Sequence, residues 1–207
     1  MTAVIVPAHN EGRVIGRLLT RLLPSLRAGE LEVIVVANGC TDDTSAVAAS
    51  FGPAVRVLVL PAASKREALV AGDRAASSFP RLYVDADVEL GRDTVVALAA
   101  ALSEPGVLAA APQRVLSLAA SPWPVRWYYD IWARLPEVRQ GLFGRGVIAV
   151  SEHGHERIAS LPPLLADDLA ASLSFAPHER RIVAGATVTT HMPRTLSDLV
   201  RRRVRAA

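Results

Sequence analysis

The residues best suited to chemistry are two carboxylates separated by one alanine, Asp85 and Asp87 in LYVDADVEL, residues 82 to 90. Leu82, Tyr83 and Val84 read as a buried strand, and continued alternation turns Asp85 and Asp87 to one side and Ala86 to the other. Two like charges then face the same space. They repel unless a cation, a proton or solvent relieves them, so the pattern leaves two readings, a cation-holding pair and a solvated loop. A second acidic pair, Asp167 and Asp168, precedes Leu169 in the manner of a helix cap.

The elements around the first pair narrow the choice. Short apolar runs predict strands at Ala3 to Val6, Glu32 to Val36, Val55 to Leu60, Arg81 to Val84 and Val107 to Ala111. Between them Val14, Leu18, Leu19 and Leu22 recur at helical spacing, as do Ala68, Ala71 and Ala75 and the stretch from Thr94 to Leu102. Strand and helix in alternation imply a parallel sheet covered on both faces. Ligands of such sheets bind beyond the carboxyl ends of the strands. That edge collects His9, Asn10 and Glu11 after the first strand, Asn38 to Asp43 after the second, Lys65 and Arg66 after the third, and Asp85 to Asp87 after the fourth. Each group taken alone also has a structural reading: Asp42 and Asp43 favour a helix start, and Asn38-Gly39 makes a turn.

Composition sets outer bounds. A chain of 207 residues, 51% hydrophobic, holds one sizeable core and reads as a single domain, 1–207. The net charge is +3, and Lys65 is the only lysine among 23 basic residues. The single cysteine, Cys40, excludes an internal disulfide and fits a reducing compartment. Residues 1 to 8 read as a first strand rather than a signal peptide, and no apolar run reaches the roughly 20 residues needed to cross a bilayer. The expected location is cytoplasmic, at most peripheral on the inner membrane face, and no nucleic-acid partner is expected.

The second half is broken by Pro122, Pro124, Pro136, Gly141, Gly144, Gly146, Pro162 and Pro163. SPWPVRWYYDIW, residues 121 to 132, holds five of the ten aromatics. Trp123, Trp127 and Ile131 share helical spacing and are assigned to a packed helix face; the alternative is an amphipathic helix that meets a membrane or a lipid-linked acceptor, helped by the arginine-rich tail. His153 and His155 read as surface residues.

Five blocks in order, VIVPAHNEGRVIGRLL, VIVVANGCTDDT, SKREALVAG, YVDADV and LLADDLAASL, resemble the family 2 glycosyltransferases, with the resemblance running from Val4 to Arg205. It implies the glycosyltransferase A fold, a Rossmann-like α/β three-layer sandwich with a mostly parallel central sheet. Residues 1–112 would bind the nucleotide-sugar and 113–207 the acceptor. The implied reaction is metal-dependent, inverting transfer of a sugar from a nucleotide-diphosphate donor, UDP- or GDP-linked, to an acceptor hydroxyl, with lipid-linked and anionic acceptors both open.

The same resemblance assigns roles. Asp87 would ligate Mg2+ or Mn2+ most directly, Asp85 would share its role with the ribose, and Ala86 lies between them. Pro7, Ala8, Asn10 and Glu11 would line the nucleoside pocket, and Asn38 would contact the base, preceded by Ala37 where many relatives carry aspartate. Lys65 or Arg66 would reach the nucleotide, with Ser64 in place of the usual glycine. Asp168 would accept the proton of the acceptor hydroxyl, beside Asp167 in place of the usual glutamate. His191 would complete the metal shell, Arg202 or Arg205 would meet the diphosphate, and the GLFGRG loop, with Gly144, Arg145 and Gly146, would lie on the acceptor side with Arg145 toward an anionic group.

Two rival readings use the same residues. YVDADV also fits the nucleophile motif of haloacid dehalogenase-like phosphatases, but those need a basic residue, usually lysine, after the motif, and usually carry the motif on the first strand. No lysine follows Asp85 here. A catalytically silent, glycosyltransferase-like binding subunit is the non-enzyme alternative.

Overall fold

The computed structural model describes residues 1–23, 30–161 and 167–205, and of Asp167, Asp168 and Arg205 the backbone only. The first half is a parallel β/α array: β1 (Thr2–Ala8), α1 (Ile15–Leu22), β2 (Leu31–Asn38), α2 (Thr44–Ala49), β3 (Val55–Leu60), α3 (Lys65–Ala75), β4 (Arg81–Val84), β5 (Val88–Leu90) and α4 (Arg92–Leu102). The second half contributes β6 (Ala109–Ser117), α5 (Trp123–Trp132), α6 (Pro136–Gln140), β7 (Val147–Val150), α7 (Glu152–Ala159), α8 (Asp167–Leu173), β8 (Arg180–His191) and α9 (Leu196–Arg205).

The strands form one sheet in the order β3-β2-β1-β4-β7-β6-β8-β5. β3, β2, β1 and β4 run parallel, as expected of short, mainly apolar strands alternating with helices. β7 then enters antiparallel between β4 and β6, and β5 closes the far edge antiparallel to β8. The alternating sequence of the first half carried no sign of this reversal. The expected strand at Val107 begins two residues later, at Ala109, and runs on to Ser117.

Two cores sandwich the sheet. Ile15, Leu18, Leu19 and Leu22 of α1 and Val95 and Leu98 of α4 pack with Val4, Val6, Leu82 and Val84 on one side. On the other, Ala68 of α3 packs with Ile34 and Val36, and Ala171 and Phe175 pack with Ala109 and Ile148. The helix spacing read from the sequence is thus the buried face of α1. A polar brace also sits on this second side: Tyr83 of β4 bonds both Asp73 of α3 and His155 of α7 at 2.9 Å, and Arg81 bonds Asp73 at 2.9 Å. His155 is therefore not a surface residue, whereas His153 is exposed. The brace raises the Tyr83 hydroxyl above its ordinary pKa, through burial first and the Asp73 charge second.

Among the described residues no helix is long and apolar enough to cross a membrane.

α3 approaches β1 closely enough to require glycine: a Cβ on Gly72 would stand 2.4 Å from the Cγ2 of Ile5, which is fully buried. Gly72→Ala should therefore destabilise the protein by about 1–3 kcal/mol through overpacking, outweighing the helix-propensity gain of about 1 kcal/mol. Urea unfolding measures the sign, and a stabilised variant would mean that the two backbones are farther apart.

Candidate active site

The loops after the parallel strands are tied to one another before they offer anything to a ligand. After β1, Asn10 has a positive φ of 56°, and its Oδ1 accepts from the Thr41 amide at 2.8 Å. The Glu11 amide donates to the Thr44 hydroxyl at 2.8 Å, and the Gly12 amide to Asp42 at 3.0 Å. Asp42 also accepts from the Thr44 amide at 3.1 Å. These bonds to Thr44 and Gly12 hold the exposed Asp42 carboxyl below its usual pKa. Asp42 thus acts as a tie between loops, and Asn10, expected in the nucleoside pocket, does the same.

The third loop ends in a helix cap. The Ser64 hydroxyl accepts from the Glu67 amide at 3.2 Å, the serine half of a capping box, which gives Ser64 a local reason to replace glycine. It fixes the start of α3 so that Lys65 reaches across and bonds Asp85 Oδ1 at 2.8 Å. Arg66, the next residue, is exposed and does not line the cavity at this edge.

β4 ends in a turn on which Asp85 and Asp87 lie. The Asp85 amide donates to the Gly146 carbonyl at 2.8 Å. Gly146 has a φ of +70°, and a Cβ there would meet Val88 at 2.5 Å and Asp85 Oδ2 at 3.5 Å. Gly146 therefore supports the acidic turn from beneath. Its expected placement on the acceptor-side loop missed this contact.

Pro7, His9, Glu11, Asn38, Ala63, Lys65, Asp85, Ala86, Asp87 and Arg202 enclose a cavity of about 600 Å3. The structure thus brings together Pro7, Glu11, Asn38, Lys65, Asp85, Ala86, Asp87 and Arg202 from the expected set. Ala8 lies behind the wall, where its carbonyl accepts from Asn38 Nδ2 at 3.0 Å. Asn38 is buried and braces β1 against β2 as well as bordering the cavity. His9 was grouped with this loop by sequence but given no role; its Nδ1 bonds the Asn38 carbonyl at 2.7 Å. A carbonyl only accepts, so Nδ1 carries a proton there.

Charge in the cavity is unevenly matched. Burial raises the Asp87 pKa, and the Asp85 charge raises it further, against an opposing pull from Arg202 and Lys65. Glu11 is pushed up to about 7, first by burial, then by Asp87 and Asp85, with Arg202 opposing. The two aspartates thus share one concave space with a third acid and two cations.

Two expectations are corrected. Arg145 does not meet an outside anion. It is 5% exposed, and its guanidinium donates to the carbonyls of Gly141, Pro112, Val138 and Arg139. Desolvation lowers its pKa to about 10. Gly144 turns with φ +65° and accepts from Arg114 at 2.7 Å, so the loop is pinned from both sides. His191 ends β8 next to the acidic turn, since Thr190 pairs with Val88, one residue past Asp87; its Nε2 is taken up by Glu89 Oε1 at 2.6 Å, and Glu89 also holds Arg21 at 2.8 Å. The face Trp123, Trp127 and Ile131 is exposed, because α5 buries Val125 and Tyr129 instead. Asp168, Asp167 and Arg205 lie outside the described side chains, with Asp167 and Asp168 at the start of α8.

The Glu11 shift has a testable sign. A carboxyl whose folded pKa is raised from 4.5 to about 7 favours the fold fully below pH 4.5 and loses that contribution as pH climbs through 7. With divalent ions removed by chelator, Glu11→Gln should therefore be more stable than the parent at pH 8, by about 1–2 kcal/mol after allowance for solvent screening, and no more stable at pH 4. Urea titrations at the two pH values decide it, and a gain at pH 4 of the same size would remove the electrostatic explanation.

Residues 3–150 match the family described as glycosyl transferase family 2. No curated protein matches the sequence. Among solved structures, a mannosyltransferase from Pyrobaculum calidifontis, in complex with GDP-Man and Mn2+, aligns with a TM-score of 0.76 at 22% identity over 98% of this chain and 60% of its own. Glucosyl-3-phosphoglycerate synthase from Mycobacterium tuberculosis, in complex with Mn2+, UDP and glucosyl-3-phosphoglycerate, aligns with a TM-score of 0.70 at 22% identity over 97% of this chain and 75% of its own. The same synthase with Mg2+ and UDP gives 0.68 at 23% identity, over 96% and 74% of the two chains. The chain thus spans 60% of the mannosyltransferase and about three quarters of the synthase, and both share its fold. The matched stretch runs from β1 through β7 and includes the paired aspartates, and this chain belongs to the family 2 glycosyltransferases.

Proposed function

We propose that this chain transfers a sugar, with inversion at the anomeric carbon, from a UDP- or GDP-linked donor to an acceptor hydroxyl. The observation that carries the reading is the cavity in which Asp85, Asp87 and Glu11 face Lys65 and Arg202. Residues 1–112 form the donor half in this reading, and 113–207 the acceptor half.

The donor set suits a hard divalent ion that the nucleotide helps to hold. Asp85 and Asp87 offer carboxylate oxygens, and among the described residues no group of three or more His, Cys, Asp or Glu is arranged to hold a metal. The remaining ligands would come from the diphosphate and water, as is usual for Mg2+ or Mn2+. The related mannosyltransferase and synthase structures are complexes with Mn2+ or Mg2+ together with GDP-Man or UDP, which supports this assignment. Such an ion supplies positive charge beside the departing diphosphate.

The chain's own residues do the rest. Lys65 and Arg202 flank the acids and would take up diphosphate charge as the bond to the sugar breaks. Glu11 borders the same cavity and would meet a ribose hydroxyl. Asp168 is our choice of base, with Asp167 beside it at the start of α8. The acceptor oxygen bonds to the anomeric carbon, its proton passes to the Asp168 carboxylate, and the carbon–oxygen bond to the diphosphate breaks with its electron pair on the leaving group. One in-line displacement of this kind inverts the centre. The single cysteine, Cys40, suits a reducing compartment such as the cytoplasm.

Calorimetry with UDP-, GDP- and dTDP-sugars should find a ligand whose binding needs Mn2+ and disappears with chelator, and Asp87→Asn should weaken it by at least about tenfold. Binding of none of them, with no effect of chelator, would remove the transferase reading. Once a donor is identified, donor hydrolysis or transfer should fall by about 100- to 10,000-fold in Asp168→Asn, while donor affinity stays within about twofold. Unchanged turnover in that variant would reassign the base.

A further inference from the structure

Helices α5 and α9 lie side by side. Leu199 packs with Val125, Tyr129 and Met192, Ser121 donates to the Pro193 carbonyl at 2.9 Å, and the Arg203 guanidinium stands 5.7 Å from the Trp132 ring centroid. Each helix spends one face on this contact, and each keeps a further apolar stripe. On α5, Trp123 and Trp127 are 76% and 64% exposed, and Ile131 continues the i, i+4, i+8 spacing. On α9, Leu196, Val200 and Val204 repeat that spacing, with Val204 72% exposed. Leu135, just beyond α5, is exposed as well. A helix that has already buried its core face has no packing reason to present two tryptophans to water.

The charge around these stripes indicates what covers them. Residues 123–140 and 191–205 hold eight arginines against three acids, Asp130, Glu137 and Asp198, a net charge of +5. The whole chain is +3, so the remainder is net −2. A second copy seated on this face would set basic surface against basic surface. An anionic bilayer offers the complement to both features, phosphates for arginine and an interfacial layer for tryptophan.

We propose that α5 and α9 form a docking face for an anionic lipid bilayer, with Trp123 and Trp127 entering the headgroup layer and the exposed Arg194 and Arg201, the latter also paired with Asp198 at 2.5 Å, meeting lipid phosphates. The face is independent of the transferase reading, although it bears on where an acceptor is met. Arg202 of α9 lines the donor cavity and also a second one of about 900 Å3, whose wall includes Val14, Arg17, Val200, Arg201 and Val204. Both cavities border α9.

Co-sedimentation of the full chain with vesicles of phosphatidylcholine plus phosphatidylglycerol, against phosphatidylcholine alone, tests the proposal. Binding should be confined to the anionic vesicles, weaken with added salt, and shift tryptophan emission to the blue. Trp123→Ser/Trp127→Ser should lower the partition at least about tenfold, and Arg194→Glu/Arg201→Glu by a similar factor, with unfolding midpoints unchanged. No binding to anionic vesicles, or equal binding by the tryptophan variant, overturns the proposal. So does a solution dimer, seen by light scattering, that the tryptophan variant abolishes. Vesicle binding and donor binding are separate readouts, so either reading can fail without the other.

Discussion

Mutual repulsion among Asp85, Asp87 and Glu11 is the constraint around which the donor edge is arranged. Partial burial strips away the water that would screen Glu11 and Asp87, and the charges of their acidic neighbours then raise the cost of ionising both. Lys65 and Arg202 relieve part of this, but two cations facing three acids leave an excess of negative potential in the cavity. A cluster of this kind works against folding on its own. It persists because β1 is gripped between parallel β2 and β4, and β4 between β1 and antiparallel β7, and because the Gly146 carbonyl holds the Asp85 amide in a turn that a side chain at Gly146 would obstruct.

The loops repeat this arrangement at smaller scale. Thr44 and Asp42 hold the backbone at Glu11 and Gly12, Asn10 holds Thr41, and Ser64 sets the start of α3 from which Lys65 projects. Several polar residues that by type look ready for a ligand are spent on other loops. What is left facing the cavity is a small, charge-dense set that a rigid sheet holds in place.

Much of that edge was legible because its causes are local. Uninterrupted apolar runs mark β1 to β4, helical spacing marks α1, and a parallel sheet leaves only one rim for Pro7, Glu11, Lys65, Asp85 and Asp87. Arg145 was misread for the opposite reason. A charged residue in a glycine-rich loop resembles a surface group, and only the folded chain reveals the four carbonyls around its guanidinium. His191 does reach the acidic turn through the pairing of β5 with β8, and only the folded chain reveals that its Nε2 is taken up by Glu89, two residues past Asp87. β8, with its arginines, threonines and Gly185, becomes a strand through β6 and β5 rather than through its own composition. On α5 two stripes compete at the same period, and periodicity cannot rank Trp123 and Trp127 below Val125 and Tyr129.

The ion pair between Lys65 and Asp85 has a practical corollary. Lys65 is the sole lysine, so an amine-directed acylating reagent finds one ε-amine in the entire molecule, and that amine stands 2.8 Å from the first aspartate of the cavity. Apart from the α-amino group, covalent tagging of this protein therefore amounts to a footprint of a single position, and its speed becomes a direct gauge of whether that crevice is filled.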